Sequence, residues 1–309
     1  MTATTENVPT PAAPAETPRR APKRRSVKGG STRYHVFVNV MALIVSLIIL
    51  APFAWMVIAS VESPADLIRV PYHWIPAHLD FSRYRDIIEG KGTDVARAFR
   101  SSVLNSIIVA AGTVIVAITV GIFGAYAFAM LKFRFRRATL VIFLVTYMLP
   151  PIALLIPLYL IMSSLGLLDS KLGLVIIYSS YVTPFVLWIL SNYFLTIPRE
   201  LEEAARVDGC SRMGALFRVM LPVARPGLFA TIMFAFLLSW DEFLYALIFT
   251  STPNAETIPV AIANFAGRYS TDFGLVAAGG LIASVPPVLL AIAFQRFIVD
   301  GLSAGAVKG

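Results

Sequence analysis

Cysteine, histidine and charge are scarce in this sequence. It contains a single cysteine, Cys210, which excludes an internal disulfide, and three histidines, which make a histidine metal centre unexpected. Charged residues make up 14% of the chain and hydrophobic residues 57%, whereas about 25% of the residues of a soluble domain are charged. This composition predicts a polytopic membrane protein. Because the basic residues behind the net charge of +8 are clustered, they indicate membrane topology rather than nucleic-acid binding.

Motifs of nucleotide binding and of hydrolase chemistry are also missing. No G-x-x-x-x-G-K-[ST] sequence occurs, and the Gly90-Lys91 pair lacks the upstream glycine of that motif. H-E-x-x-H and G-x-S-x-G are absent as well. We therefore do not expect an enzyme. If the protein does work on a solute, the energy must come from a partner or from an ion gradient.

Long apolar runs predict an all-α membrane protein with six transmembrane helices. The runs cover residues 36–61, 101–131, a third segment from about 138, and residues 172–197, 227–249 and 273–299. The third carries Pro150, Pro151 and Pro157, and lipid tolerates such a kink only where protein or a water-filled cavity satisfies the freed carbonyls. A helix that lines a pathway and a helix that is merely bent both fit this pattern.

Basic residues predict the orientation of these helices. Residues 1–33 are rich in Pro, Ala and Thr and then in Lys and Arg, a composition that predicts a disordered tail able to contact anionic lipid. The short loops 132–137 and 198–225 are also basic. Since short cytoplasmic loops carry an excess of Lys and Arg, and six spans put both termini on one side, we expect these loops and both termini in the cytoplasm.

The charge-rich stretch 198–222 interrupts the apolar part of the chain. Its pattern predicts two short helices separated by Gly209, which can adopt the left-handed conformation, with Ser211 as the cap of the second helix. The predicted apolar faces are listed here: Leu201, Ala204 and Ala205 in the first helix, and Met213, Leu216, Phe217 and Met220 in the second. A solvated loop is the simplest alternative, but two apolar faces outside the membrane favour a protein partner.

The same stretch resembles a known motif. Glu203-Ala204-Ala205, followed by Gly209 and by Val219-x-Leu221-Pro222, is similar to the E-A-A-x3-G-x9-I-x-L-P motif of ABC importer permeases, with Val219 in place of Ile. Residues 295–309 resemble the C-terminus of the maltose-type carbohydrate uptake subfamily, and Pro150-Pro151 and residues 240–243 also fit. The resemblance covers residues 34–309 and implies the type I importer permease fold, with residues 1–33 as a separate tail.

This resemblance implies a set of partners. They are a second homologous permease subunit, forming a heterodimer, two ATPase subunits that bind ATP and Mg²⁺ in place of any cofactor in this chain, and an external solute-binding protein. The loop 198–222 would be the coupling helix, docking on the ATPase in the plasma membrane of a prokaryote. The residues expected in that contact are Glu203, Ala204, Ala205, Asp208, Gly209, Leu216 and Phe217, with Gly301 and Lys308 of the C-terminal tail 300–309.

Ionisable and polar residues inside the predicted spans are candidates for the translocation path. Asp241 and Glu242 lie in the fifth span, where a carboxylate is costly and a functional hypothesis by default. Asp241 either accepts hydrogen bonds from sugar hydroxyls, with Trp240 as a stacking surface, or lies at a subunit contact or a helix break. For Glu242 we favour the structural role. Asn105 and Asn192 are expected to be hydrogen-bond partners between helices rather than ligands.

Three functions remain open at the level of the sequence. The first is a permease of an ATP-driven importer for a sugar such as trehalose or maltose, with glycerol-3-phosphate as the alternative substrate within the family. The second is an ion-coupled secondary carrier with Asp241 or Glu242 as its ion site. The third is a membrane scaffold without a transport role.

Overall fold

The described residues form helices joined by loops, in agreement with the predicted all-α fold. A computed structural model describes residues 32–70, 74–76, 78–90, 94–265 and 272–306. The chain divides into two compact units, residues 1–50 and 51–309, and the described part of the first is the helical segment 32–50. The predicted tail 1–33 lies outside the described residues except for its last two positions, which already belong to the first helix.

Fourteen α-helices and one π-helical turn are described in those ranges, in the following order. They are α1 (Thr32–Val61), α2 (Pro64–Leu67), α3 (Ser82–Glu89), α4 (Asp94–Met130), α5 (Arg136–Met148), α6 (Pro151–Ser164), α7 (Lys171–Leu195), α8 (Arg199–Val207), α9 (Arg212–Ala215), the π turn (Leu216–Met220), α10 (Leu221–Val223), α11 (Arg225–Trp240), α12 (Leu244–Phe249), α13 (Ile258–Phe265) and α14 (Phe273–Ala306).

Four of these helices are long and apolar enough to cross a membrane. They are the segments Tyr34–Val61, Arg97–Met130, Lys171–Leu195 and Phe273–Phe297. Two bent pairs bring the number of spans to as many as six: Arg136–Met148 with Pro151–Ser164, and Arg212–Val223 with Arg225–Trp240. The predicted fifth span, 227–249, is therefore wrong as a single helix, because α11 ends at Trp240 and α12 begins only at Leu244.

The third predicted span bends at its paired prolines. Leu149 and Pro150 each precede a proline, and the ring of that proline disfavours the helical conformation in the residue before it. Both adopt extended backbone, with ψ values of 133° and 123°. Pro151 then occupies the first position of α6, where a proline is well tolerated. The result is an angle of 91° between α5 and α6.

The packing of α4 along α7 forms the centre of the molecule. Gly112, Gly121 and Gly124 of α4 face Val175, Val186 and Leu187 of α7 so closely that a Cβ atom on any of the three glycines would overlap these side chains. Glycine at these three positions lets the two helices approach closely. The C-terminal halves of α4 and α7 share one hydrophobic core with the loop 198–222. Phe194 of α7 and Leu216 and Met220 of the loop belong to this core.

At the other end of α4, polar side chains hold the connection between α12 and α13. Asn105 Nδ2 donates hydrogen bonds of 2.9 Å to the carbonyl oxygens of both Pro253 and Glu256. Lys171 Nζ, at the start of α7, donates to Asn105 Oδ1 at 3.1 Å and to the carbonyl of Asn254 at 2.6 Å. The N-terminal part of α4 is thus bonded, through Asn105, to residues 253–256.

Candidate functional site

The loop 198–222 folds as the sequence predicted in its first half. α8 ends in a Schellman motif, in which Cys210 N donates to the carbonyl of Ala205 at 3.0 Å and Gly209 N donates to that of Arg206 at 3.1 Å. Gly209 has a φ of 88°, in the left-handed region that glycine tolerates best. Ser211 Oγ accepts a hydrogen bond of 3.1 Å from Gly214 N and caps α9. Both predictions, the glycine turn and the serine cap, are confirmed.

One face of this loop is anchored to the rest of the protein. Tyr126 Oη donates a hydrogen bond of 2.8 Å to Glu202 Oε1, and Arg199 Nη2 donates one of 3.1 Å to the carbonyl oxygen of Ala129. Glu202 is only 8% exposed and Tyr126 only 5%. Arg199, Glu202 and Tyr126 were not predicted as site residues. Spacing is a signal for the first two, because Arg199, Glu202 and Ala205 recur every third residue, as one face of a helix does.

Two predicted contact residues belong to this anchored face. Leu216 has no exposed surface and Ala205 is 7% exposed, so neither can meet a partner in this conformation. Both predictions are wrong for one reason: periodicity shows which residues share a face but not which face turns inward. The π turn that begins at Leu216 directs Leu216 and Met220 together into the core.

The other face is exposed and carries apolar and charged side chains together. Phe217 and Met213 are each 53% exposed, Leu201 is 41% exposed and Val207 is 87% exposed. We give the name docking surface to eight of the exposed residues of this loop: Leu201, Glu203, Ala204, Val207, Asp208, Gly209, Met213 and Phe217. Exposed apolar side chains gathered on a charge-rich loop are typical of a protein–protein contact.

The predicted C-terminal contact is described in part. Gly301 lies in α14, whose backbone continues through Ala306, so the segment predicted as a tail from residue 300 is helical up to that point. Lys308 lies outside the described residues. The roles of both residues remain predictions.

The break between α11 and α12 opens onto two cavities. One of about 420 Å³ is lined by Pro151, Tyr181, Asp241, Glu242 and apolar residues of α11 and α12. Another of about 440 Å³ lies between α11, α13 and α14, and Asp241 lines this cavity as well. Pro151, at the bend between α5 and α6, and Asp241, at the break after α11, thus line one cavity.

Glu242 and Trp240 serve the structure of this break. Glu242 accepts hydrogen bonds from the backbone N–H groups of Tyr245 at 2.8 Å and Ala246 at 3.1 Å, and so caps α12. Trp240 is 3% exposed, donates from Nε1 to the carbonyl of Ala283 at 3.0 Å and stacks on Phe236 with ring centroids 5.2 Å apart. Trp240 lines the cavity of about 440 Å³ together with Asp241 but is almost fully covered by protein, so its role as a stacking surface for a sugar stays a prediction.

The two asparagines lie apart from this cavity. Asn105 bonds to residues 253–256 and to Lys171, as expected of a hydrogen-bond partner between structural elements. Asn192 is exposed and donates from Nδ2 to the carbonyl of Trp188 in its own helix at 3.0 Å. Asp241 is therefore the member of the predicted path that is both ionisable and exposed in a cavity.

A family comparison covers both the docking surface and the break at Asp241. The sequence model of the family described as binding-protein-dependent transport system inner membrane component matches residues 117–303. The chain belongs to this family. It is thus a transport subunit rather than an enzyme, and a multi-pass membrane protein.

Curated relatives of this permease extend over most of its length. A trehalose transport system permease protein of Mycobacterium tuberculosis is 38% identical over 76% of this chain and 84% of its own. A sulfoquinovosyl glycerol transport system permease protein of Agrobacterium fabrum is 34% identical over 84% and 89%. A trehalose/maltose transport system permease protein of Thermococcus litoralis is 32% identical over 89% and 97%.

The permease also has the fold of solved importers. A chain in the crystal structure of a bacterial ABC transporter that imports the acidic polysaccharide alginate is similar with a TM-score of 0.70 and 24% identity, over 86% of this chain and 97% of the other. A chain of an inward-facing methionine ABC transporter gives a TM-score of 0.52 at 17% identity, over 67% and 95%. The predicted importer permease fold is confirmed.

Proposed function

We propose that this chain is one permease subunit of an ATP-driven importer that takes up a mono- or disaccharide across the plasma membrane of a prokaryote. Relatives named for trehalose and for trehalose/maltose transport, at 38% and 32% identity, support a sugar as the substrate. A third relative, named for diacetylchitobiose uptake and from Streptomyces coelicolor, is 31% identical over 89% of this chain and points to the same substrate class.

The docking surface is the observation that carries the proposal. Its apolar side chains stand on a loop whose opposite face is fixed by the Tyr126–Glu202 and Arg199–Ala129 hydrogen bonds. A mobile loop could bury such side chains against itself, whereas an anchored loop that keeps them exposed requires a partner. The partner is an ATPase subunit, which binds ATP and Mg²⁺, and this chain contributes no nucleotide-binding residues.

Each docking residue has a role in this contact. Phe217 and Met213 fill an apolar cleft of the ATPase, Glu203 pairs with a basic residue at its rim, and the small side chain of Ala204 allows close approach. Asp208 and Gly209 form the turn at the tip of the loop. The end of α14 near Gly301, with Lys308 beyond it, supplies a second contact with the ATPase subunits.

The complete importer contains further subunits. A homologous permease pairs with this chain as a heterodimer, two ATPase subunits bind on the cytoplasmic side, and a solute-binding protein delivers the sugar on the other side. Closure of the ATPase dimer on ATP moves the docking loops, and the spans then open toward the loaded binding protein.

Asp241 is the proposed contact between this subunit and the sugar. A carboxylate accepts hydrogen bonds from hydroxyl groups through both oxygens, which suits a polyhydroxylated solute. Its position at the meeting point of two helix breaks supports this assignment, because transporters place substrate sites at discontinuous helices. Glu242 serves mainly as the cap of α12, since each of its oxygens already accepts a hydrogen bond from the backbone of that helix.

The test of this function is a charge reversal in the docking surface. The variant Glu203→Lys should still insert in the membrane but should no longer co-purify with the ATPase subunit, and sugar uptake should be lost. Glu89→Lys reverses the charge of an exposed residue in α3 and should leave co-purification unchanged. Normal co-purification and uptake by Glu203→Lys would contradict the proposal and favour a membrane scaffold or an ion-coupled carrier.

A further inference from the structure

A buried hydrogen bond joins the docking loop to the longest helix of the protein. Tyr126 lies one turn before the end of α4, and its hydroxyl donates to Glu202 Oε1 at 2.8 Å. A hydrogen bond between a hydroxyl and a carboxylate is stronger than one between neutral groups, and stronger still where water is excluded. Both side chains are more than nine-tenths buried, so this bond is protected from water.

A second bond prevents α8 from pivoting about the first. Arg199 lies one turn before Glu202 in α8, and Ala129 lies one turn after Tyr126 in α4. Arg199 Nη2 donates to the carbonyl of Ala129 at 3.1 Å, and a cation is favourable there because the carbonyls at a helix C-terminus carry partial negative charge. Two bonds one turn apart on each helix fix their relative orientation, which a single bond cannot do.

The far end of α4 holds a different part of the protein. Asn105 donates to the carbonyls of Pro253 and Glu256, and Ser106 Oγ accepts a hydrogen bond of 2.8 Å from Ile258 N. Asn105 and Tyr126 are about 32 Å apart along the helix axis, at 1.5 Å per residue. One continuous helix, Asp94–Met130, therefore connects the docking loop with residues 253–258.

Close packing makes α4 a stiff connection. Gly112, Gly121 and Gly124 bring the backbone of α4 close to side chains of α7, so the two helices are tightly packed along this length. Its described sequence contains no proline, the commonest cause of a kink. We therefore expect a displacement of α8 to be carried along α4 to its other end.

We propose that Tyr126 and Glu202 are positioning residues that transmit the motion of the docking loop through α4 to the segment 253–258 on the other side of the membrane. This inference rests on the proposed function, because the ATPase supplies the motion. Glu203 binds the ATPase, and the neighbouring Glu202 binds α4 through Tyr126. The two adjacent carboxylates thereby connect the ATPase to α4. The hydrogen bond contributes little to assembly and much to the yield of transport for each ATP hydrolysed.

The test compares Tyr126→Phe with wild type in the complete importer, reconstituted in proteoliposomes with radiolabelled trehalose and maltose as probes. The phenylalanine ring keeps the packing of Tyr126 in its core and removes only the hydroxyl. Assembly with the ATPase and ATP hydrolysis should persist, while the sugar taken up per ATP should fall roughly tenfold, the effect of losing one hydrogen bond to a charged group. Glu202→Gln keeps an oxygen that can accept from Tyr126 but loses the charge that strengthens the bond, so its ratio should fall less than that of Tyr126→Phe, by about fivefold or less.

A matched control removes a tyrosine hydroxyl elsewhere. Tyr84 Oη donates a hydrogen bond of 2.7 Å to Ser60 Oγ, and Tyr84→Phe should leave the ratio of sugar to ATP unchanged. A wild-type ratio in Tyr126→Phe, or less assembled complex with an unchanged ratio, would overturn the inference and leave Tyr126 a structural residue. Absence of ATP-dependent uptake in the wild-type complex would instead contradict the proposed function itself.

Discussion

Glu202 and Glu203 are neighbours in α8 and lie in opposite environments. Glu202 is 8% exposed and accepts the hydrogen bond of Tyr126, whereas Glu203 is exposed on the docking surface. Consecutive residues of a helix point about 100° apart, so a helix lying on a protein directs one of them inward and the other outward. Mutations on the two faces of this loop should therefore differ in kind: the inner face supports folding and transmission, and the outer face supports assembly.

Leu216 and Phe217 provide the simplest comparison of the two faces. Leu216→Ala removes a fully buried side chain and should lower the stability of the permease by about 2–5 kcal/mol. Phe217→Ala truncates a side chain that is 53% exposed and whose ring lies 6.1 Å from that of Phe123, so it should cost only about 1 kcal/mol of stability, while it weakens co-purification with the ATPase. Thermal unfolding in detergent and co-purification measure the two effects. Equal losses of stability would contradict the assignment of the faces.

Substitution of Asp241 should affect transport, whereas substitution of Glu242 should affect stability. Glu242→Ala leaves the N–H groups of Tyr245 and Ala246 without their cap and should cost about 0.5–2 kcal/mol of stability. Asp241→Asn should unfold at the wild-type temperature, yet its sugar uptake should fall because the carboxylate is lost. Thermal unfolding and uptake by the reconstituted complex test both variants. Full uptake by Asp241→Asn would remove this residue from the translocation path.

Arg83 and Gly274 form a contact that a methyl group would disrupt. A Cβ atom at Gly274 would overlap the guanidinium of Arg83, whose Nη1 donates to the carbonyl of Glu62 at 2.7 Å. Gly274→Ala should therefore cost about 1–3 kcal/mol, as overpacking does. Adding Arg83→Ala removes the overlap, so the double variant should be more stable than the sum of the single effects implies. Additive losses in thermal unfolding would show that the two residues act independently.

The stabilisation that Asp169 gives to the α12–α13 connection should depend on pH. Burial raises the pKa of Asp169, but hydrogen bonds from Ser251 N and from Thr252 N and Oγ1 lower it more, so the pKa lies below its ordinary value. A lowered pKa in the folded state adds stability that is complete above the ordinary pKa of about 3.9 and is lost as the pH falls through the lowered value. The gap in unfolding temperature between wild type and Asp169→Asn should thus be constant near pH 7 and shrink below about pH 4. A gap that stays the same down to pH 3 would contradict a charged Asp169.

The sequence was informative where structure depends on local chemistry. Gly209 and Ser211 act within one turn of their positions, so their roles were readable from residue type and spacing. Pro150 and Pro151 likewise restrict the residues before them, and the bend between α5 and α6 follows. The family motif added the identity of the expected partner, which no local rule supplies.

The sequence was less informative where contacts join distant segments. Tyr126 and Glu202 meet only because α4 and the docking loop pack together, and nothing near either residue indicates the other. The π turn at Leu216 altered the helical phase on which the predicted apolar stripe depended. The break after Trp240 similarly depends on Glu242, which caps α12. Hydrophobic periodicity alone predicted α11 and α12 as one helix.

The most direct measurement of the central claim is sugar uptake by the reconstituted importer in proteoliposomes. With wild-type ATPase and internal ATP, radiolabelled trehalose or maltose should accumulate, and an ionophore that collapses ion gradients should have no effect. A catalytically inactive ATPase should abolish uptake. Uptake that continues with the inactive ATPase and stops with the ionophore would contradict the account, because the permease would then draw its energy from an ion gradient.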